Sequence, residues 1–341
     1  MMRFTRRFTG VFLATALLAG CGGDGSDGSD GGDGGDGDGN GNGSSTPWTT
    51  PEGFSPEVSP TGWNGTDQGG VPSPGGRCPA DKGGAPMTLP ITGIEYCVKA
   101  APACADDGAG CPLYITINTE GAFFARADDP ATNGAFITVE LYTETDGDGI
   151  KDKLAELPRV IAHDYPGLDR ERVFAIGWSA GAGAVTRGLC HLSKKSDFSE
   201  IGTTSDIYAG WAALGGCGCS NDYLPLAGSW HGITFNRTED QFNGGDACEA
   251  GLRDRAWANG CADPGAARWS PLPPDDPYAK NGDGSTNAER LVFPGCGAGE
   301  VVGYRGRDEG HVLSFKEHFD PKISGYDTVW NYFQDKSKRA P

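Results

Sequence analysis

The stretch Gly177-Trp178-Ser179-Ala180-Gly181 constrains this chain more than any other. A short apolar run of β type, Arg172 to Ile176, precedes it, and a small-residue-rich segment of helical character, Ala180 to His191, follows it. A serine carried on a sharp strand-to-helix turn needs glycines two residues before and two residues after, because side chains at those positions would collide. The turn lifts the hydroxyl clear of a sheet and aims the Ala180 amide N–H at the place where an oxyanion would develop. A bare G-x-S-x-G also occurs as an ordinary Gly/Ser loop. Strand before and helix after favour the nucleophile.

The first twenty residues are not fold. Arg3, Arg6 and Arg7 precede the apolar run Val11–Ala19, the pattern of a secretory signal too short to span a bilayer as a mature helix. Leu18-Ala19-Gly20-Cys21 resembles a bacterial lipobox, so residues 1–20 are expected to be removed and Cys21 to be acylated. Gly22 to Ser45 contains only Gly, Asp, Asn and Ser, with nothing to bury. About 24 such residues reach roughly 25–30 Å, enough to hold a domain just off a membrane surface. Thr46 to Gly76, richer in Pro, Thr and Trp, is a further linker or an arm lying on the domain. The expected organisation is signal peptide 1–20, anchored linker 21–77 and one domain over 78–341.

The formal net charge of −18 argues against nucleic acid and anionic lipid as partners, although six of the acids lie in the Gly/Asp tract. Any membrane contact is expected only through the lipid on Cys21. Of eleven cysteines, ten remain beyond Cys21, and an even number in an exported chain favours disulfides over metal. Cys97, Cys104 and Cys111 recur every seven residues, but without histidine partners or a paired C-x-x-C they do not suggest zinc. Spacing leaves the pairing open.

Strands are expected over Pro112–Asn118, Ala135–Tyr142, Arg172–Ile176, Ile207–Leu214, Ile233 onward and Val301–Tyr304. Helices are expected from Ile150 to Ile161, kinked or restarted at Pro158, over Ala247–Asn259, and over Tyr326–Gln334 with Val329, Trp330 and Phe333 on one side. Such alternation implies an α/β fold, a mostly parallel central sheet with helices on both faces, its active site at the carboxyl ends of the strands.

A serine hydroxyl is a poor nucleophile without a histidine base, itself oriented by a carboxylate. In this architecture the chain order is serine, acid, histidine. His311 lies in a loop after the Val301–Tyr304 strand and is the expected base, with His318 in reserve; His191 falls at a helix end and His231 ahead of the acid strand. Asp240, where the Ile233 strand runs into a turn, is the expected acid, with Glu239 and Asp246 as rivals. Thr145 to Asp152 resembles a short calcium loop with oxygens from Asp146, Asp148 and Asp152, but lacks the downstream glutamate of an EF-hand. The alternative, an acidic turn opening a helix, is preferred, and no metal or organic cofactor is expected.

One ordered series of motifs goes further: the elbow with its Arg172-Val-Phe lead, the Thr238-Glu-Asp240 turn, Trp257-Ala-Asn-Gly-Cys261, Pro294 to Tyr304, Gly310-His311 and Val329-Trp-Asn-Tyr-Phe333. Over about Cys111 to Phe333 it resembles the extracellular esterases of the polyhydroxybutyrate depolymerase and feruloyl/acetylxylan esterase group, which have the α/β-hydrolase fold. The resemblance implies Ser179, Asp240 and His311 as triad. It implies oxyanion donors at the Ala180 amide and at the backbone of Thr119 or Glu120. Two places depart from the family pattern. Asn118-Thr119 stands where His-Gly is usual, with Glu120 at the donor position, and the acid turn has Asn236-Arg237-Thr238. The expectation is a monomeric, disulfide-bonded serine hydrolase, secreted or lipid-anchored on the periplasmic face or cell surface. It would cleave a carboxylic ester, small or polymeric, of hydroxyalkanoate, feruloyl or acetyl-polysaccharide type. The competing expectations are a catalytically weak surface protein of the same fold that binds a glycan or polymer, and a peptidase. Loss of one oxyanion donor is worth about 3–4 kcal/mol.

Overall fold

A computed structural model describes residues 68–78, 83–117, 135–141, 147–192, 207–216, 230–237, 245–276, 278, 285–297, 299–306 and 325–337. Among the described residues eleven strands form one sheet: β1 (Val71–Pro72), β2 (Ala85–Thr88), β3 (Glu95–Ala100), β4 (Cys111–Ile117), β5 (Ile137–Leu141), β6 (Leu168–Trp178), β7 (Gly210–Leu214), β8 (His231–Arg237), β9 (Ser270–Leu272), β10 (Ser285–Val292) and β11 (Val301–Gly306). The helices are α1 (Gly147–Asp164), α2 (Ala180–Leu192), α3 (Gly245–Ala258) and α4 (Gly325–Phe333).

The strand order is β1-β2-β3-β5-β4-β6-β7-β8-β11-β10-β9. The six strands β5, β4, β6, β7, β8 and β11 run parallel to one another. The remaining pairs are antiparallel. The sheet is therefore mixed, which corrects the mostly parallel sheet expected from the sequence. The added strands lie at the two margins, where short connections such as the β2–β3 turn leave no room for a crossover, so the chain can only double back. In the parallel block each expected strand is present, its ends displaced by up to four residues: β6 begins at Leu168 rather than Arg172, and β7 at Gly210 rather than Ile207.

Side chains alternate along the central strands, as a period of two requires. Leu113, Ile115 and Ile117 of β4, Val173 and Ala175 of β6, and Trp211 and Ala213 of β7 join one buried cluster with Leu157 and Val160 of α1, Val185 of α2 and Leu252 of α3. Tyr114, Phe174, Ile176, Ala212 and Leu214 join a second cluster with Val329, Trp330 and Phe333 of α4. The second is largely aromatic. Phe174 stacks on Phe333 at 4.3 Å and on Tyr114 at 5.3 Å, and Tyr114 meets Trp330 at 4.6 Å. Each such ring contributes about 1.5–3 kcal/mol by burial.

The helix α1 runs on through Pro158, where the sequence predicts a kink or restart. A proline there has no N–H for the carbonyl four residues back, that of Leu154. The buried Tyr208 hydroxyl donates to that carbonyl at 2.7 Å and supplies the missing bond. On another side of α1 the buried Glu156 carboxylate accepts the backbone N–H groups of Ile91 (2.7 Å) and Thr92 (3.0 Å), tying the β2–β3 turn to the helix. Disulfides join Cys78 to Cys97, Cys104 to Cys111 and Cys261 to Cys296, as an even count in an exported chain suggests, and Cys248 is disulfide-bonded too. They fit an oxidising, exported environment. No helix among the described residues is long and apolar enough to cross a membrane.

Candidate active site

Ser179 occupies the single residue between β6 and α2, at the carboxyl edge of the parallel block. Its φ is +52°, in the left-handed region. For a non-glycine residue that conformation costs about 1–2 kcal/mol, and it persists only where the surroundings impose it.

Those surroundings are specific. A Cβ on Gly177 would stand 2.1 Å from the Gly181 carbonyl oxygen and 2.6 Å from the Ala182 nitrogen. The helix start therefore folds directly over the strand end, and the glycine spacing is what permits it. The Ser179 N–H donates to the Leu214 carbonyl of β7 at 2.9 Å. Its own carbonyl accepts the Ala182 and Gly183 N–H groups at 3.0 and 3.2 Å, which opens the helical ladder of α2. Ala180 is exposed, and as a first-turn residue its N–H has no intrahelical acceptor. With no acidic residue in the first turn of α2, the positive end of the helix is left to favour an anion beside Ser179.

Asp240, His311, Thr119 and Glu120, with Glu239, His318, Asp146 and Cys21, lie outside the described residues. The strands leading to the first four are described. The strand β4 ends at Ile117, two residues before Thr119; β8 ends at Arg237, three before Asp240; β11 ends at Gly306, five before His311. These strands are parallel to β6, so their carboxyl ends share the edge that carries Ser179. The rival acid Asp246 is the second residue of α3. Asp148 and Asp152 belong to the first turns of α1, which begins at Gly147. Among the described residues no three His, Cys, Asp or Glu side chains group to hold a metal ion.

The described histidines are placed elsewhere. His191 is the penultimate residue of α2, the helix end the sequence suggests. His163 is exposed at the end of α1, with Nδ1 at 3.0 Å from Oδ1 of Asp164. His231 opens β8 at the amino edge of the sheet. Its Nδ1 accepts the Glu300 N–H at 3.2 Å, and its Nε2 then donates to the Ser337 carbonyl at 3.2 Å. Burial pulls its pKa below the ordinary histidine value. It is a neutral, structural histidine at the wrong end of the strand for catalysis. Trp269, just ahead of β9, is anchored by its ring. The Trp269 Nε1–H donates to Glu249 at 2.6 Å and the Arg305 guanidinium lies 4.2 Å over its ring, while Ser270–Leu272 is β9.

Sequence reasoning missed Gly215 and Gly216, which follow β7. Gly215 has a φ of +60°, and a Cβ there would meet Trp178 Cζ3 at 2.3 Å. A Cβ on Gly216 would meet the Ser179 carbonyl oxygen at 2.7 Å and the Ala182 Cβ at 2.9 Å. The available signal was a Gly-Gly pair at the end of an apolar strand.

No protein-family model matches the sequence, and no curated protein matches it. Among solved structures, the chain is similar to an acetyl xylan esterase from Aspergillus awamori at 12% identity, over 71% of this chain and 95% of that one, with a TM-score of 0.47. It is similar to a thermostable esterase at 11% identity over 74% and 62%, with a TM-score of 0.46. The carboxylesterase of Bacillus cereus gives 12% identity over 70% and 93%, with a TM-score of 0.40.

Proposed function

We propose that this protein is a serine hydrolase of the α/β-hydrolase type acting on carboxylic esters, with Ser179 as nucleophile. The observation that carries the reading is the left-handed backbone of Ser179 on a glycine-bounded turn at the carboxyl edge of six parallel strands. Strain of this kind collects where a reactive group must be held out.

In the proposed reaction Ser179 Oγ attacks the ester carbonyl and His311 takes its proton, then returns it to the leaving alcohol. Asp240 orients His311. The Ala180 N–H and a backbone N–H from Thr119 or Glu120 receive the oxyanion, and water clears the acyl-enzyme. The reading is supported by the order of the strands, since those that lead to Asp240 and His311 end at the same edge as β6. The substrate proposed is an extracellular ester of hydroxyalkanoate, feruloyl or acetyl-polysaccharide type, met by a chain exported and anchored through Cys21. The test is hydrolysis of acetyl, hydroxybutyryl and feruloyl esters by the protein and by its Asp240→Asn and His311→Ala variants. Turnover of at least one ester, lost in both variants, is expected. Turnover unaffected by either would refute the triad, and binding of a polymer without turnover would favour the surface-protein reading.

A further inference from the structure

The residues at the carboxyl end of β7 do something that neither the sequence motif nor the triad accounts for. Leu214, Gly215 and Gly216 contact the serine turn in succession. The Leu214 carbonyl receives the Ser179 N–H, the Trp178 ring edge lies over Gly215, and the backbone at Gly216 lies against the Ser179 carbonyl. In the other direction, the Gly215 N–H donates to the Phe235 carbonyl of β8 at 2.8 Å. Phe235 is two residues from the end of the strand that leads to Asp240. Three residues thus link the nucleophile turn to the acid strand through main chain, and two of them are glycines with no room for a Cβ.

We propose that Gly215 and Gly216 are positioning residues for Ser179: they form a brace that fixes the serine turn against β7 and β8. The inference rests on the reading of Ser179 as nucleophile. The two positions differ in a way that makes the proposal testable. At Gly216 an added methyl would meet main chain, which cannot swing aside, so the serine turn itself must shift. At Gly215 it would meet the outer atoms of the Trp178 ring at 2.3 and 3.0 Å, and the ring can be made smaller.

The experiment measures the rate of fluorophosphonate labelling, in which Ser179 Oγ bonds to phosphorus, fluoride leaves, and the serine proton passes to the histidine base. Gly216→Ala is expected to slow labelling about 10–100-fold, the effect of roughly an ångström of misplacement, while the melting temperature marks the protein as folded. Gly215→Ala is expected to slow it less, and Trp178→Leu in the same chain to recover part of the rate. Gly297→Ala, whose methyl would meet nothing within 4 Å, is the control and should label like the parent. Parent-like labelling by folded Gly216→Ala overturns the brace and leaves Ser179 as nucleophile. If Gly216→Ala does not fold, Gly215→Ala decides: parent-like labelling by the folded variant also overturns it. A folded parent that does not label removes both the reading and the inference.

Discussion

The two edges of the parallel block hold their serines in different ways. At the amino edge a histidine, a serine and several acids come together, with His231 bonded to Ser337 and to Glu300 and with Asp335 next to Lys336. An open cleft of about 370 Å³ lies beside them, lined by Asp169, Arg172 and Lys336 among others. Yet Ser337 offers His231 its carbonyl rather than its hydroxyl, and both imidazole nitrogens are occupied by backbone. At the carboxyl edge the serine stands on a left-handed turn that opens a helix. What separates the proposed reactive edge from the structural one is therefore backbone geometry, and composition alone does not reveal it.

The sharpest way to break this comparison is to remove the serine at each edge. Ser179→Ala should reduce ester hydrolysis by about 10⁴-fold or more, the scale on which nucleophile losses fall. Ser337→Ala should leave it unchanged, because its carbonyl is retained. Equal effects would erase the distinction. Exchanging the histidines is the next test. His311→Ala should cost a similar factor in rate, whereas His231→Gln should label with a fluorophosphonate as fast as the parent.

A smaller effect concerns stability rather than chemistry. Tyr208→Phe removes the donor that completes α1 at Pro158 and leaves the Leu154 carbonyl buried without it. A loss of about 1–3 kcal/mol is expected in denaturant unfolding, with activity per folded molecule retained. The smallest effect is in pH. Unfolded histidine takes up its proton near pH 6.5, and folded His231 only at lower pH because burial opposes the charge. Its contribution is complete above that value and is lost as the pH falls toward the folded pKa. Between pH 7 and 5 the melting temperature should fall, and His231→Gln should flatten part of that slope. An unchanged slope would remove His231 from the account.

Most of the parallel block was legible because each of its strands is a continuous apolar run bounded by turn residues. The run Pro112–Asn118 became β4 at Cys111–Ile117, and Val301–Tyr304 became β11 at Val301–Gly306. The margins were not legible. Ala85–Thr88 and Ser285–Val292 carry little alternation, and they become strands only through the antiparallel neighbours they pair with. Pro158 misled for a related reason, since the hydroxyl that completes its helix comes from Tyr208, fifty-four residues from the carbonyl it reaches. In the site, the Ser179 turn could be read from local glycine spacing. The close approach of Gly216 to the Ser179 carbonyl could not, because β6 and β7 meet only in the folded sheet.

The central claim is that Ser179 is an activated nucleophile. Fluorophosphonate treatment of the protein, with the modified peptide located by mass spectrometry, tests it without any assumption about the substrate. One label per molecule on the peptide containing Ser179, absent after prior unfolding, is the predicted result. A folded protein that takes no label, or takes it on another serine, would contradict the account.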